Sequence, residues 1–375
     1  MRAPQALLPL FALCLLASAC ARPPLRVGLI APMTGPMGNQ GIEVQRGSSM
    51  ATAEANNSGG VLGRKIELLL RDNRGEADAT LAAIQELYGQ GVKLVIIYTT
   101  SATAAPALAW AADKDLLILS HSVSDPRWTG LDDNFLRFAG SVDSFGAALG
   151  HFAEARGVRR VLAAIDLKNQ DYARAFLKGF SAETPAVTIT ETKELAVDWS
   201  QAELAAESRR LGVDALLLVT PGLDAAKTGQ ALLAAGFGGI LLLSPWSQDQ
   251  NLLSYAGAFG NRIFLPSTTD PGDDSADFLA FTSRYKALFG EDPVMGSIYS
   301  YETIRFLAEG LRAAGKDGPK ELKKAMLAKT RFPGLQYVFT LDAMGDSSMP
   351  YFIMTVEPSK GAFVAVGSVE GKDGP

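Results

Sequence analysis

The sequence predicts an α/β protein made of two doubly wound parallel-sheet units in tandem, and three observations carry that reading. Short apolar runs alternate regularly with longer amphipathic ones. The apolar runs are continuous, whereas strands with one wet face would alternate, so they suit sheets covered by helices on both sides. After Phe135 to Gly140 the rhythm starts again, and a chain of 375 residues exceeds one core of the usual ~100–150-residue size.

In the first unit Leu25 to Ala31 (LRVGLIA) is a strand, Glu43 to Asn56 a helix closed by Ser58-Gly59-Gly60, and Ile66 to Arg71 the next strand. A helix over Glu76 to Gly89 leads to a strand at Leu94 to Tyr98, and a helix over Ala104 to Ala112 leads to a strand at Leu116 to Ser120. The second unit runs helix Ser144 to Arg156, strand Val161 to Ile165, helix Tyr172 to Ala182 and strand Val187 to Glu194. It continues with helix Gln201 to Leu211, strand Ala215 to Val219, helix Asp224 to Ala235, and strands Ile240 to Ser244 and Arg262 to Leu265. From Ser275 the pattern changes to three helices, Ser275 to Phe289, Ser297 to Ala314 and Lys320 to Ala328. Short strands follow around Tyr337 to Thr340, Tyr351 to Val356 and Phe363 to Gly367.

Composition removes several function classes. With 35 Lys+Arg spread among 40 Asp+Glu and a formal charge of −5, no basic stripe is available for a nucleic-acid backbone. The histidines are His121 and His151 and the cysteines Cys14 and Cys20, too few for a zinc or iron ligand set, so no cofactor is implied. Asp72, Asp270, Asp273 and Asp274 lack the spacing of a calcium loop.

Arg2 precedes an apolar run from Leu7 to Leu16, shorter than the ~20 residues a bilayer-spanning helix needs, and residues 1 to 19 read as a secretory signal peptide. The run ends in Leu16-Ala17-Ser18-Ala19-Cys20, small residues flanking a cysteine, the pattern after which a lipid is attached to the thiol. Ala17-Ser18-Ala19 also fits ordinary A-x-A cleavage. Processing at Cys20 leaves no second cysteine and hence no internal disulfide, and lipidation removes a free thiol from an oxidising compartment. The expected location is the periplasm or the outer face of a bacterial membrane, with an anchor through Cys20.

In open parallel sheets ligands bind outside the carboxyl ends of the strands, and three loops there stand out. Thr99-Thr100-Ser101-Ala102-Thr103 puts hydroxyls beside the free N–H groups of a helix start, a carboxylate site, although a plain N-cap needs only one of them. Ser120-His121-Ser122-Val123-Ser124-Asp125-Pro126 again puts hydroxyls at a strand's carboxyl end and would face the first cluster if the two strands are neighbours, the alternative being an ST-turn before Pro126. His121 reads as a loop or rim residue. Pro245-Trp246-Ser247-Gln248-Asp249 sets an indole at a sheet edge, as a pocket wall or a core cover.

Two motifs point elsewhere. Ser283-Arg284-Tyr285-Lys286 and Lys227-Thr228-Gly229 match S-x-x-K and K-T-G of penicillin-recognising serine enzymes, with Ser283 and Lys286 as the reactive pair of a hydrolase. Their order is reversed, however, and no S-D-N lies between them. Gly345-Asp346-Ser347-Ser348 reads as a turn.

The segments RVGLIAPMTGPMGNQG, LLLRDNRGEADATLAAIQELYGQGVKLVII, TTSATAAPALA, SHSVSDP, NQDYARAF, SPWSQD, SIYSYETI and FTLDAMGD together resemble the type I periplasmic binding proteins for branched-chain amino acids. These are the leucine/isoleucine/valine-type solute receptors of ABC importers. The resemblance runs from about residue 25 to 367 and implies two lobes joined by three crossovers. Lobe one would hold residues 25 to 140 plus 268 to 340, and lobe two residues 141 to 267 plus 341 to 375.

It also implies a small ligand in the interlobe cleft, hinge closure, and delivery to a membrane permease. Ser101 would hold a ligand carboxylate, Thr100 lies in the same cluster, Ser122 and Ser124 would receive an α-ammonium, and Tyr172 would close from lobe two. Where the family carries a tyrosine in the first loop this chain has Gln40, and where it carries the ammonium-binding acid this chain has Trp246. A buried ammonium without a carboxylate is costly. Either Asp249 or another acid such as Asp270 replaces that acid, or the ligand is not an α-amino acid and the site is turned toward an aromatic or amide-bearing molecule. The rival expectation is a receptor of the same fold that senses a ligand or regulates envelope enzymes.

Overall fold

The computed structural model describes residues 22–182 and 184–369. Residues 1 to 21, on which the expected signal peptide and Cys20 fall, and residues 370 to 375 lie outside the described residues. Strands β1 (Leu25–Ala31), β2 (Ile66–Asp72), β3 (Leu94–Ile97), β4 (Leu117–Ser120) and β5 (Phe135–Arg137) form an all-parallel sheet in the order β2-β1-β3-β4-β5. Helices α1 (Gly38–Asn57), α2 (Ala77–Gly89) and α3 (Ser101–Ala111) connect them. Alternate strand residues divide between two cores: Val27, Leu29 and Ile96 meet α1 on one face, while Ile30, Val95 and Ile97 meet α2 and α3 on the other. That two-sided burial is why the strands read as unbroken apolar runs.

The chain then builds a second sheet. Helices α4 (Val142–Ala155), α5 (Gln170–Ala182), α6 (Gln201–Leu211), α7 (Gly222–Ala234) and α8 (Gln250–Tyr255) alternate with β6 (Arg160–Asp166), β7 (Thr188–Leu195), β8 (Ala215–Val219), β9 (Ile240–Leu243) and β10 (Ile263–Ser267). Three helices return to the first sheet: α9 (Ala276–Phe289), α10 (Met295–Ala314) and α11 (Pro319–Lys329) pack Phe281, Ile304, Leu307 and Met326 into the core under α1. Gly47 of α1 allows the closest approach, since a Cβ there would lie 2.1 Å from the Ser297 carbonyl oxygen. A small antiparallel sheet, β11 (Arg331–Pro333), β12 (Val338–Leu341) and β13 (Ser347–Ser348), follows.

The last two strands, β14 (Tyr351–Glu357) and β15 (Ala362–Val369), return to the second sheet, whose order is β15-β14-β10-β9-β8-β6-β7. Here the expected parallel sheet is corrected in part. β14 runs antiparallel to both β10 and β15; toward β15 this follows from the short turn at Pro358–Gly361, which can join only antiparallel neighbours. β7 also departs from the continuous pattern, with exposed and half-buried residues alternating along a sheet edge.

Helix α1 starts at Gly38, five residues ahead of the expected Glu43. The segment Gly38-Asn39-Gln40-Gly41 carries no apolar period and two poor helix formers. Tertiary contact holds that turn instead: Gly41 lies so close to the loop after β1 that a Cβ would sit 2.1 Å from the Pro32 carbonyl oxygen.

Glu302 sits inside α10, 3% exposed, its Oε1 accepting a 2.6 Å bond from the Leu335 N–H. Burial pushes its carboxyl up from 4.5 to about 7, opposed by the Leu335 bond and the Arg305 charge. The folded protein therefore holds a proton that the unfolded chain releases between those values, and stability falls as pH rises through that window. Glu302→Gln is expected to match the parent below pH 4.5 and to exceed it by roughly 3 kcal/mol above pH 7. Melting curves of both proteins at pH 4.5, 6 and 8 check this; a constant gap between them would refute it.

Candidate ligand-binding site

In each sheet the strand order reverses beside the first strand of its unit, between β1 and β3 and between β6 and β8. These are the positions where the loops beyond the strand ends part to leave a crevice. A cavity lies there, lined from the first sheet by Met37, Gln40, Tyr98, Thr99, Thr100, His121, Ser122 and Ser124, and from the crossing helix α10 by Met295, Gly296 and Tyr299. Ala139, just after β5, also lines it, and the second sheet's side supplies Phe145, Asn169, Tyr172, Pro245, Trp246 and Gln248. Its volume of about 70 Å³ is several times the ~10–15 Å³ one water needs, room for a small molecule rather than a peptide.

Thr100 is the N-cap of α3: its Oγ1 accepts from the Thr103 N–H at 3.2 Å and pairs with the Thr103 hydroxyl at 2.8 Å. Ser101 is 1% exposed and does not line the cavity. Its hydroxyl accepts from the backbone N–H groups of Ser124 and Asp125, both at 3.3 Å, so it ties the two hydroxyl loops together. Ser122 does the same from the other side, donating to the Thr99 carbonyl at 3.0 Å and accepting from the Thr99 N–H at 3.1 Å. The N–H of Ala102, at the start of α3, donates across the cavity to Asn169 Oδ1 at 3.2 Å.

The opposite wall is aromatic. Tyr172 and Trp246 meet edge to face with ring centroids 6.1 Å apart, and burial raises the Tyr172 phenol well above its ordinary value. Among the described residues nothing accepts the Trp246 Nε1–H, and nothing pairs with Gln248 Oε1. Gln40 bridges the two sides, its amide donating to Asp249 Oδ2 at 3.0 Å while Oε1 accepts from the Tyr98 hydroxyl at 3.4 Å.

Neither expected replacement acid reaches the cavity. Asp249 is 2% exposed behind Gln40, its other oxygen capping α8 through the Leu252 N–H at 3.0 Å. Asp270 borders a separate outer groove. No Asp, Glu, Lys or Arg stands among the described lining residues.

His121 keeps its expected place in the loop after β4 but not at a rim. It is no rim residue but 4% exposed, its ring 5.2 Å from that of Tyr98 and 6.0 Å from that of Tyr299. It follows the buried strand β4 directly, and α10 packs over it. In sequence Glu43 marks only the start of a helix. It is buried, Oε1 accepts from the Gln250 N–H at 3.1 Å, Oε2 has no partner among the described residues, and burial with Asp249 nearby holds its carboxyl well above the usual range. Tyr98, Asn169 and Tyr299 also escaped the sequence reading as lining residues. The hydrolase pair is placed on the surface: Ser283 is exposed, and Lys286 forms an exposed ion pair with Asp292 at 2.9 Å.

A family model described as "Periplasmic binding protein" matches residues 24–362. The Leu/Ile/Val-binding protein homolog 1 of Brucella abortus is 26% identical over 341 residues, covering 88% of this chain and 89% of that protein. Among solved structures, a leucine-binding protein of Thermotoga maritima superposes with a TM-score of 0.83 at 19% identity, covering 93% of this chain and 99% of its own. The isoleucine complex of a branched-chain amino acid binding protein from Streptococcus pneumoniae gives 0.83 at 22%, covering 92% and 99%. A solute binding protein from R. palustris in complex with benzoate gives 0.83 at 20%, covering 93% and 97%. With its two α/β sheets meeting at a cavity and a match along most of its length, the chain belongs to the periplasmic binding protein family.

Proposed function

We propose that the protein is an extracytoplasmic receptor that binds a small carboxylate-bearing solute between two lobes and delivers it to the permease of an ABC importer, with no chemistry of its own. The observation that carries this is the position of the cavity, enclosed by the carboxyl-end loops of both sheets at their switch points. Gln40, Thr100, Ser122, Ser124, Tyr172 and Trp246 line it, and Ser101 braces it. The carboxylate belongs at the start of α3, where N–H groups and hydroxyls converge, and where Asn169 now takes the Ala102 N–H.

In this reading one lobe holds residues 25 to 140 and resumes at 268, and the other holds residues 141 to 267 and resumes after Met349. The third crossover falls a little later than the resemblance alone implies, since β13 still pairs with β12 and Met349 packs in the first core. The cleft is closed by bonds that only a hinge motion opens: Asn39 to Asn251 at 2.7 Å, Gln40 to Asp249, and the Gln250 N–H to Glu43. A lipid on Cys20 holds the receptor at the membrane beside its permease.

A thermal-shift screen of the chain from Ala21 tests this against amino acids, aromatic and aliphatic carboxylates, and amides. A true ligand at 100 times its Kd adds about 2.7 kcal/mol, a shift of several degrees. Stabilisation by carboxylates is expected; silence across the panel would overturn the reading.

A further inference from the structure

We propose that His121 sets ligand choice by accepting, through Nε2, a hydrogen bond from a neutral O–H or N–H group of the bound acid. This rests on the cavity being the acid-binding site. The protonation of the ring follows from its partners. Thr303 Oγ1 lies 3.1 Å from His121 Nδ1 and also 2.7 Å from the Tyr299 carbonyl oxygen. A threonine hydroxyl has one proton, and a carbonyl can only accept, so that proton goes to Tyr299. Toward His121 the oxygen is then an acceptor, and Nδ1 carries the ring proton. Nε2 is left with a lone pair.

Among the described residues nothing fills that lone pair. Nε2 is buried without a partner among the described residues. The two phenols packed on the ring point their protons elsewhere, Tyr98 to Gln40 Oε1 and Tyr299 to Met349 Sδ. Protonating Nε2 is no remedy, because burial depresses the imidazole to about 3 and no carboxylate lines the cavity. His121 lines the cavity and Thr303, on the Nδ1 side, does not, so we take the Nε2 edge as the one that a ligand approaches.

An unsatisfied buried acceptor selects for a donor, since a ligand lacking one leaves the group unpaired. A neutral donor fits this wall: an ammonium beside a neutral imidazole would need a counter-ion, Asp249 is engaged behind Gln40, and Glu43, whose Oε2 has no partner among the described residues, stands behind Gly296 and does not line the cavity. Across the cavity the unpaired Trp246 Nε1–H asks for an acceptor. A hydroxy acid or amide acid offers both.

The test uses matched pairs on the full mature chain: 2-, 3- and 4-hydroxybenzoate against benzoate, 2-hydroxy-4-methylpentanoate against 4-methylpentanoate, and leucine. At least one hydroxylated acid is expected to bind tenfold or more tightly than its parent acid. His121→Phe should erase that preference while sparing the parent acid, and His121→Gln, which keeps an acceptor, should restore part of it. Equal affinities within every pair, a preference that survives His121→Phe, or tighter binding of leucine than of any hydroxy acid overturns the proposal. Silence from every compound overturns the acid-site reading and this proposal with it. Should the variants fail to fold, nitrogen NMR of the parent decides. An unprotonated Nε2 signal that moves on adding the preferred hydroxy acid supports the proposal, and a protonated Nε2 in the free protein refutes it.

Discussion

Replacing Ser101 by alanine is expected to lower the melting temperature by several degrees and to weaken ligand binding at least tenfold. The stability loss comes from the backbone. Ser101 Oγ is the acceptor for the N–H groups of Ser124 and Asp125, in a site where Ser101, Ser124 and Asp125 are all buried. A buried donor that loses its partner costs about 1–3 kcal/mol. Both bonds are long at 3.3 Å, so the low end applies to each, about 2 kcal/mol together. The affinity loss has a separate origin. Ser101 does not line the cavity, but it holds the loop that carries the lining residues Ser122 and Ser124, and a charge-assisted bond to the carboxylate that is lost when this wall shifts is worth about 1.5–3 kcal/mol. Thr100→Ala separates the two effects, because it removes the α3 cap to the Thr103 N–H without touching the loop at residues 124 and 125. A Ser101→Ala protein that melts earlier yet binds its ligand unchanged would place the carboxylate away from α3.

What the sequence discloses about this site follows from how far apart in the chain the contacting groups lie. Residues just beyond a strand's carboxyl end are legible, because the strand is a plain apolar run and its end marks the crevice. Thr100, Ser122 and Trp246 are of this kind, and all three line the cavity. Tyr299 and Gly296 are not: they reach the cavity from α10, whose apolar period says that it is buried but not against what. Glu43 and Asp249 look like ordinary surface acids in sequence. They are buried only because α1 and α8, far apart in the chain, meet end to end. The short elements follow the same logic, since β13, with two residues, is defined by its partner β12 and carries no period of its own. The antiparallel β14 is invisible to a pattern of alternating strands and helices, because its neighbour in the sheet is set by where the chain returns.

The widest effect on stability is expected from Gly179, in the middle of α5. A Cβ there would stand 2.0 Å from the Asp143 carbonyl oxygen of α4. Two glycines of α4 make the same close approach from the other side, Gly146 at 2.1 Å from the Phe176 carbonyl oxygen and Gly150 at 2.4 Å from that of Phe180. The obstructing atoms are backbone, so no side chain can swing away, and the helices must separate. Overpacking a core costs about 1–3 kcal/mol and more where neighbours cannot yield. Gly179→Leu should therefore exceed 3 kcal/mol and yield little folded protein. Gly179→Ala gains helix propensity, by roughly 0.5–1 kcal/mol, yet should still destabilise, because the clash outweighs that gain. The control is Gly89, at the end of α2, where a Cβ meets nothing within 4 Å and alanine should leave melting unchanged or raise it. Separation of α4 from α5 also moves Phe145 and Tyr172, which sit on these two helices and wall the cavity. The alanine variant should accordingly lose affinity along with stability. Equal melting temperatures for Gly179→Ala and the parent would mean that the two helices have slack, and that the cavity's aromatic wall is set by something other than their contact.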